Sequence, residues 1–342
     1  MRRRPSHASR LDGSRRSLLI GVIALAFAGC GANATSAGPD RASESSSATR
    51  TLPSQPAVRT GTAPGTTPSS TAAGRTATPS RNLDPNFEGT KVAFDPANFV
   101  DPTLDTNPFH PLKPGLQYVR AGTTEVGSRV VPHEIITTVT DVIRMIDGVP
   151  TIAMLDESTD SREISQLSID YLALDKDGNV WILGGYTEDY QGGAYTNTDI
   201  AWLGTANGSE VGILSPAKVD AATPRWFIGK GPEEKASVGQ PVQVGITACV
   251  TFGCYDNVRV VQEGNVGAPD NENKYYAPGI GVINNIPLNA SLHQDTFQLT
   301  NFVELSPAGL AEASKTVMDL ETHARKVAPD AFGSAPQSRR LH

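Results

Sequence analysis

Apolar and polar residues alternate along most of the chain after residue 82. The clearest example is a run in which every second residue is apolar, namely Leu167, Ile169, Tyr171 and Ala173. Such alternation is typical of a strand with one buried face. A run rich in β-branched residues over 135–146 ends at Asp147-Gly148, a dipeptide that favours a hairpin turn. Short turns between the predicted strands indicate one antiparallel β domain over 83–305, with further strands over 151–155, 180–184, 242–247, 258–262, 275–283 and 297–305.

A single helix is predicted over 306–328, at the end of this domain. Ser306 is a suitable N-cap, and Pro307 suits the first helical position. Apolar residues then recur every three or four positions, at Leu310, Ala313, Val317, Leu320 and Ala324. This stripe indicates a helix that packs on the sheet or closes its open end. Residues 329–342 are predicted to be a flexible tail.

The N-terminus is predicted to be an export signal. Six arginines and one aspartate precede an apolar run over 18–28, which is too short for a membrane span of about 20 residues but suits a signal peptide. The run ends at Ala28-Gly29-Cys30, and small residues directly before a cysteine resemble the lipobox of bacterial lipoproteins. The resemblance implies a signal peptide over 1–29, cleavage before Cys30 and acylation of its thiol, for example by palmitate. An ordinary secretory signal with an incidental cysteine is the alternative, and the segment 14–19 also resembles a twin-arginine signal.

Residues 30–82 are predicted to be a disordered, lipid-anchored linker rich in Ser, Thr, Pro and Ala. Of the 52 residues over 31–82, 40 are Ser, Thr, Ala, Gly or Pro, and none is aromatic. Such a segment cannot bury enough apolar surface to offset the entropy of ordering. The predicted arrangement is therefore an extracytoplasmic domain tethered through Cys30 to the outer face of the bacterial cytoplasmic membrane.

Charge limits the partners of this domain. The whole chain carries a net charge of −7 at pH 7, but its first 82 residues are basic, so residues 83–342 carry −15. An acidic domain repels phosphate groups. This argues against nucleic acid as a partner and against electrostatic docking on anionic lipid, and leaves the lipid on Cys30 as the predicted contact with the membrane.

Several short blocks resemble, in order, a family of secreted bacterial lipoproteins of the actinobacterial type, whose function is uncharacterised. The blocks are Asn107-Pro108-Phe109 with Pro111-Leu112-Lys113-Pro114-Gly115, Asp177-Gly178-Asn179-Val180-Trp181, Tyr255-Asp256-Asn257-Val258, and Lys274-Tyr275-Tyr276-Ala277-Pro278-Gly279-Ile280-Gly281-Val282-Ile283. The resemblance implies a mainly β fold, with a curved antiparallel sheet that is half-barrel-like and one C-terminal α-helix. It supplies no catalytic residue.

The sequence gives little support for catalysis or for cofactor binding. The six histidines show no metal-ligand spacing. His110 and His133 could meet in space, but we interpret them as isolated surface or turn residues. Asp175 to Asn179 is interpreted as a tight turn rather than a calcium loop, because Tyr186 holds the position that requires a bidentate acid. No catalytic residue, metal site or cofactor is predicted.

Two cysteines remain after lipidation of Cys30. Cys249 and Cys254 are separated by four residues, a length that a hairpin can bridge. In an exported protein such a pair most often forms a disulfide, and we predict one here. The spacing differs from Cys-x-x-Cys, which argues against a redox function.

Aromatic residues mark the candidate ligand site. The candidates are Trp181, Tyr186, Trp202, Trp226, Tyr275 and Tyr276. Either these side chains pack as cross-strand pairs in hairpins, or they form a rim over an apolar cavity. The second alternative favours a non-enzymatic domain that binds an apolar ligand or a protein partner at the cell surface.

Two other functions stay open. The domain could be a structural module of the cell surface. A carboxylate-dependent hydrolase could use a group of acidic residues, namely Asp156, Glu157, Asp160, Glu163, Glu188 and Asp189. We expect these residues on exposed turns, so a non-enzymatic role is favoured.

Overall fold

The computed structural model describes residues 86–232, 234–269, 271–289 and 294–341, and it is mainly β, with 55% strand. The predicted signal peptide over 1–29, Cys30 and the linker over 30–82 lie outside the described residues. Among the described helices, none is both long enough and apolar enough to cross a membrane.

The described residues form one sheet of sixteen strands, which are β1 (Phe99–Val100), β2 (Leu116–Val126), β3 (Arg129–Ile146), β4 (Val149–Asp160), β5 (Glu163–Asp175), β6 (Val180–Gln191), β7 (Ala194–Asn197), β8 (Ala201–Leu203), β9 (Glu210–Ser215), β10 (Trp226–Lys230), β11 (Ser237–Val250), β12 (Gly253–Asn265), β13 (Glu272–Ala277), β14 (Gly281–Pro287), β15 (Thr296–Glu304) and β16 (Arg339–Arg340).

Twelve of these strands close into a barrel. Neighbours around the ring follow the order β5, β4, β3, β2, β15, β14, β13, β12, β11, β10, β9 and β6, and β6 pairs back with β5. The mainly β class is confirmed, but the prediction of a half-barrel-like sheet is wrong. Closure depends on antiparallel pairs between strands that are distant in sequence, such as β2 with β15, and local alternation does not reveal such pairs.

The predicted C-terminal helix is present as α1 (Pro307–Val327), which packs against β3 and β4. The Ser306 hydroxyl caps it by accepting a hydrogen bond from the Gly309 amide nitrogen at 3.2 Å. The buried stripe of the helix includes Ala313, Val317, Leu320 and Ala324. The spacing of apolar residues therefore identified the buried face correctly.

The C-terminal segment is packed, which corrects the prediction of a flexible tail over 329–342. A short helix, α2 (Pro329–Phe332), places Phe332 fully buried against Tyr186, with ring centroids 5.2 Å apart. Further on, β16 pairs with β3, and Arg340 Nη2 lies 2.8 Å from the Asp141 carboxylate. One aromatic ring and one ion pair thus anchor a segment whose composition favoured disorder.

The segment before β2 closes one end of the barrel. Asn107 Nδ2 donates to the carbonyl oxygens of Gly178 and Ser215, both at 2.9 Å. The amide nitrogen of Gly279 donates to the carbonyl oxygen of Pro108 at 2.6 Å. The Asn-Pro-Phe block and the Ala-Pro-Gly block of the sequence therefore contact each other.

The turn between β5 and β6 is organised by Asp175. Its Oδ1 accepts hydrogen bonds from the amide nitrogens of Asp177 at 3.0 Å and Asn179 at 2.8 Å, and its Oδ2 accepts one from the Trp181 indole at 2.8 Å. A carboxylate that caps its own turn in this way supports the interpretation as a tight turn.

A disulfide joins Cys249 and Cys254 at the tip of the β11–β12 hairpin. It encloses four residues, and for so short a loop the loss of chain entropy contributes about 2 kcal/mol at most. We expect the double variant Cys249→Ser/Cys254→Ser to lose about 2 kcal/mol or less of unfolding free energy, measured by urea unfolding. A loss of more than about 4 kcal/mol would contradict this account of a local brace.

Candidate binding site in the barrel interior

A small cavity lies inside the barrel. It has a volume of about 30 Å³, which is room for one water molecule. Because strands such as β4 and β13 lie far apart around the ring, only inward-pointing side chains can meet there. The cavity is lined from six strands by Tyr118, Arg120, Thr137, Met154, Leu214, Lys274, Tyr276 and Val282, together with His110 and Pro111 of the closing segment.

Lys274 is the centre of a buried charge network on the inner face. Its Nζ lies 2.8 Å from the Glu263 carboxylate and 3.3 Å from that of Glu272. Burial lowers the pKa of Lys274, but the two carboxylates outweigh this and raise it above the ordinary value. Asn285 donates to Glu272 at 2.7 Å, and the Tyr276 hydroxyl donates to Glu263. Both carboxylates therefore have a cation and a hydrogen-bond donor.

Arg120 and Asp156 are linked through a threonine. Arg120 donates from Nε to the carbonyl oxygen of Val282 at 2.9 Å and from Nη1 to the Thr137 hydroxyl at 2.7 Å. That hydroxyl in turn donates to Asp156. Burial raises the pKa of Asp156, against the hydrogen bond from Thr137 and the positive charges of Arg120 and Lys274. Positive and negative groups thus alternate across this part of the interior.

The Asp170 carboxyl group has neither a cation nor a hydrogen-bond donor as a partner in the part of the chain that the structure describes. Asp170 lies in the middle of β5, opposite Met154 on β4 and Gly185 on β6, and its side chain makes no hydrogen bond or ion pair with any described residue. Its side chain is half-buried and lies on the same face of the sheet as that of Met154, which lines the small cavity. Burial and the negative charge of Asp156 raise the pKa of Asp170 to about 8, against the attraction of Lys274. The carboxyl group is therefore mainly protonated at pH 7.

The Trp202 indole lies beside this carboxyl group. Gly185 on β6 pairs with Trp202 of β8 on one side and with Asp170 of β5 on the other. A Cβ atom on residue 185 would be 3.4 Å from Trp202 Nε1 and 3.6 Å from Asp170 Oδ1. Trp202 is 1% exposed, and its Nε1 has no hydrogen-bond partner within the described part of the chain. We call Asp170, Gly185 and Trp202 the Asp170 site.

The small cavity contains another donor without a partner. Tyr118 is 3% exposed, and its hydroxyl forms no hydrogen bond with the residues that the structure describes.

Burial and the positive charges of Arg259, Arg120 and Lys274 lower the pKa of His110 to about 3. His110 is therefore neutral at pH 7, and its ring can donate one hydrogen bond and accept another.

His133 belongs to a different network, near the turns at the ends of β2 and β4. Its Nδ1 lies 2.7 Å from Asp160, and its Nε2 lies 3.6 Å from Asp295. Burial lowers the pKa of His133, but the hydrogen bond to Asp160 and the two negative charges raise it above its usual value. His110 and His133 are thus buried in separate networks, which corrects their interpretation as isolated surface or turn residues.

The six predicted aromatic residues lie on both faces of the barrel wall. On the inner face are Trp202, Trp226 and Tyr276. On the outer face are Trp181, Tyr186 and Tyr275. Trp181, for example, packs against Phe99 of the N-terminal segment with ring centroids 5.3 Å apart. The six residues therefore do not form a single rim.

The acidic residues considered for hydrolysis are mostly buried or half-buried, contrary to the prediction of exposed turns. Asp156 is 7% exposed and Glu188 is 2% exposed, whereas Glu163 is exposed. The half-buried members of this group are Glu157, Asp160 and Asp189. Glu188 lies on the outer face, where it accepts hydrogen bonds from Tyr186 and Tyr190, so of these two buried acids Asp156 is the one beside the Asp170 site.

Arg120, Asp170 and Lys274 were not among the predicted site residues, although Lys274 begins one of the blocks that carry the family resemblance. Each is a charged residue on one face of an alternating strand, and Asp170 stands between Ile169 and Tyr171. The pattern could have indicated a polar inner face if closure of the barrel had been known, since the face opposite an apolar one is otherwise expected in solvent.

Comparison of the chain with known proteins gives only distant structural likenesses. No model of a protein family matches it, and no curated protein matches it. Among the described residues, no group of three or more His, Cys, Asp or Glu side chains is arranged to hold a metal ion. Among solved structures, the chain is similar to a Bacteroides fragilis protein described as exported with a YmcC-like fold, at 11% identity and a TM-score of 0.32 over 57% of this chain and 98% of that one. It is also similar to a Parabacteroides distasonis protein described as a lipoprotein, at 11% identity and a TM-score of 0.25 over 58% of this chain and 99% of that one; both likenesses are too distant to support an inference about function.

Proposed function

We propose that the chain is an exported, lipid-anchored, non-enzymatic domain that binds a small polar molecule inside its barrel. The anchor is the lipid on Cys30, and the linker over 30–82 holds the barrel away from the membrane surface. The observation that carries the proposal is the Asp170 site, where a carboxyl group and an indole N–H both lack partners among the described residues. Buried polar groups without partners cost free energy, and a ligand that completes them recovers it.

The polar wall favours a polar ligand over the apolar one expected from the aromatic residues. Arg120, Asp156 and Lys274 all face the interior. An apolar molecule placed against them would remove solvent from charged groups without offering hydrogen bonds, which is unfavourable. Trp202 and Tyr118 supply donors that a ligand oxygen can accept.

Thermal unfolding of the exported chain with a panel of small polar and apolar molecules tests this proposal. We expect polar molecules to raise the Tm of the wild-type protein. The variant Gly185→Ala should lose this shift, because its methyl group would occupy the point between Asp170 and Trp202. The nearest atom to that methyl group is a side-chain carbon of Ile200 at 3.3 Å, so the Ile200 side chain has to shift by a few tenths of an ångström to admit it. Equal shifts in both proteins, or shifts only with apolar molecules, would contradict the proposal.

Asp170 also predicts how the free protein responds to pH. Because its pKa is about 8 when folded and near 3.9 when unfolded, the unfolded state releases this proton first as pH rises. The wild type should therefore lose up to about 1.4 kcal/mol of stability per pH unit between pH 4 and 8 relative to Asp170→Asn. Urea unfolding of both proteins at pH 5 and pH 8 measures this. Parallel pH profiles would show that the Asp170 carboxyl group is not held in the half-buried, unpaired state described above.

A further inference from the structure

We propose that the ligand of the Asp170 site carries a basic nitrogen, which pairs with the Asp170 carboxylate, and beside it an oxygen that accepts the Trp202 indole N–H. Small amino alcohols and amino sugars have this chemistry. The inference rests on the proposed function and names the class of molecule that the barrel would bind.

Asp170 differs from Glu263 and Glu272 in having no cation as a direct partner, and from Asp156 in having no hydrogen-bond donor. Glu263 and Glu272 flank the Lys274 ammonium group at 2.8 and 3.3 Å. In the ranges that the structure describes, Asp170 lacks both an ion pair and a hydrogen-bond donor. A ligand cation would give Asp170 the ion pair that Lys274 gives to Glu263 and Glu272.

The sign of the ligand charge follows from Asp156. Its carboxyl group faces the same interior, and its negative charge acts on Asp170. An anionic ligand would add a further negative charge beside these groups, which is unfavourable at low dielectric. A neutral ligand would leave Asp170 protonated, whereas a cation favours the ionised carboxylate.

The second ligand group follows from Trp202. An indole nitrogen is a hydrogen-bond donor only, so it requires an acceptor. Trp202 Nε1 and Asp170 Oδ1 lie 3.4 and 3.6 Å from the position that a Cβ atom of residue 185 would take, so the two atoms are at most 7.0 Å apart. A ligand with a nitrogen and an oxygen on adjacent carbons is short enough to face both atoms at once.

Ethanolamine and ethylene glycol form a matched pair of probes, since one has an ammonium group where the other has a hydroxyl. The chain has three tryptophans, so its indole N–H groups give three NMR signals, and the Trp181 signal reports on a donor already bonded to Asp175. We expect ethanolamine at constant ionic strength to shift the Trp202 signal with a Kd at least about tenfold lower than that of ethylene glycol. The variant Asp170→Asn should abolish this preference, and Glu163→Gln, an exposed change on the same strand, should retain it.

The preference for ethanolamine should also depend on pH. The charged groups that act on Asp170 are Asp156 and Lys274, while Met154, Gly185 and Trp202 beside it do not titrate. Since the pKa of Asp170 is about 8, its carboxylate fraction rises as pH increases from 6 to 8. The Kd for ethanolamine should fall by about ninefold from pH 6 to 7 and by about fivefold from pH 7 to 8 in the wild type, and should stay constant in Asp170→Asn.

The outcomes separate this inference from the proposed function. If both probes shift the Trp202 signal with equal Kd, and Asp170→Asn binds them as the wild type does, the barrel interior binds polar molecules. The inference that the ligand carries a basic nitrogen would then be wrong. If neither probe moves the Trp202 signal and the polar panel does not raise the Tm, the proposed function itself is overturned. A shift confined to Trp181 would place binding on the outer face and would contradict both.

Discussion

Replacing Glu321 with leucine is expected to lower the free energy of unfolding by about 3–5 kcal/mol, because it leaves a buried guanidinium group without its counter-ion. Arg144 Nη1 lies 2.9 Å from Glu321 Oε1, and both side chains are buried. The Tyr171 hydroxyl and Ser338 Oγ also donate to that oxygen, at 2.8 and 2.5 Å. Glu321 therefore joins α1, β3, β5 and the C-terminal segment, and urea unfolding at pH 7 measures its loss.

An exposed ion pair on the same helix provides the control. Lys315 and Asp319 are bonded, but their side chains are 73% and 66% exposed, so Asp319→Ala should cost about 0.5 kcal/mol or less. The double variant Arg144→Leu/Glu321→Leu should recover part of the loss, since it removes both buried charges. Equal effects of the Glu321 and Asp319 changes would show that the helix is not held by this cluster.

Lys274→Met is the second change with a large expected effect, again about 3–5 kcal/mol at pH 7. It would leave Glu263 and Glu272 inside the barrel without the ammonium group that lies between them. Burial already raises the pKa of Glu272 in the wild type, and without Lys274 both carboxyl groups should bind protons more readily. The deficit in unfolding free energy relative to the wild type should therefore shrink as the pH falls from 8 to 5.

The variant Lys113→Met is the control for Lys274→Met. Lys113 lies 2.8 Å from Glu304, but their side chains are 51% and 59% exposed, so the loss should be about 0.5 kcal/mol or less at any pH. Chemical unfolding of the three proteins at pH 5 and pH 8 gives the values required. A pH-independent deficit for Lys274→Met would mean that the two glutamates are not ionised partners of this lysine.

Local rules explain which elements of the fold could be predicted. Alternation over 167–173 lies within β5, and the apolar stripe with its Ser306 cap gives α1. Closure of the barrel was beyond reach because it joins residues such as Leu116 and Glu304, which pair between β2 and β15. The C-terminal segment was misjudged since its order depends on a few contacts, chiefly Phe332 under α1, rather than on composition.

The candidate site was only partly predictable for a related reason. Trp202 and Tyr276 were recognised because large aromatic side chains are expected to be buried, either in cross-strand pairs or around a cavity. Asp170 was missed because a carboxyl group opposite an apolar face normally points to solvent in an antiparallel sheet. The closed barrel turns that face inward, so the same residue becomes a half-buried, titratable group with a raised pKa.

Native mass spectrometry of the exported chain tests the central claim most directly. The protein would be purified from a bacterial host under mild conditions, as wild type, Gly185→Ala and Glu163→Gln. The account predicts one small polar molecule per chain in the wild type and in Glu163→Gln, and none in Gly185→Ala. An identical bound mass in all three proteins, or a wild-type barrel that carries nothing, would contradict a ligand site at Asp170 and Trp202.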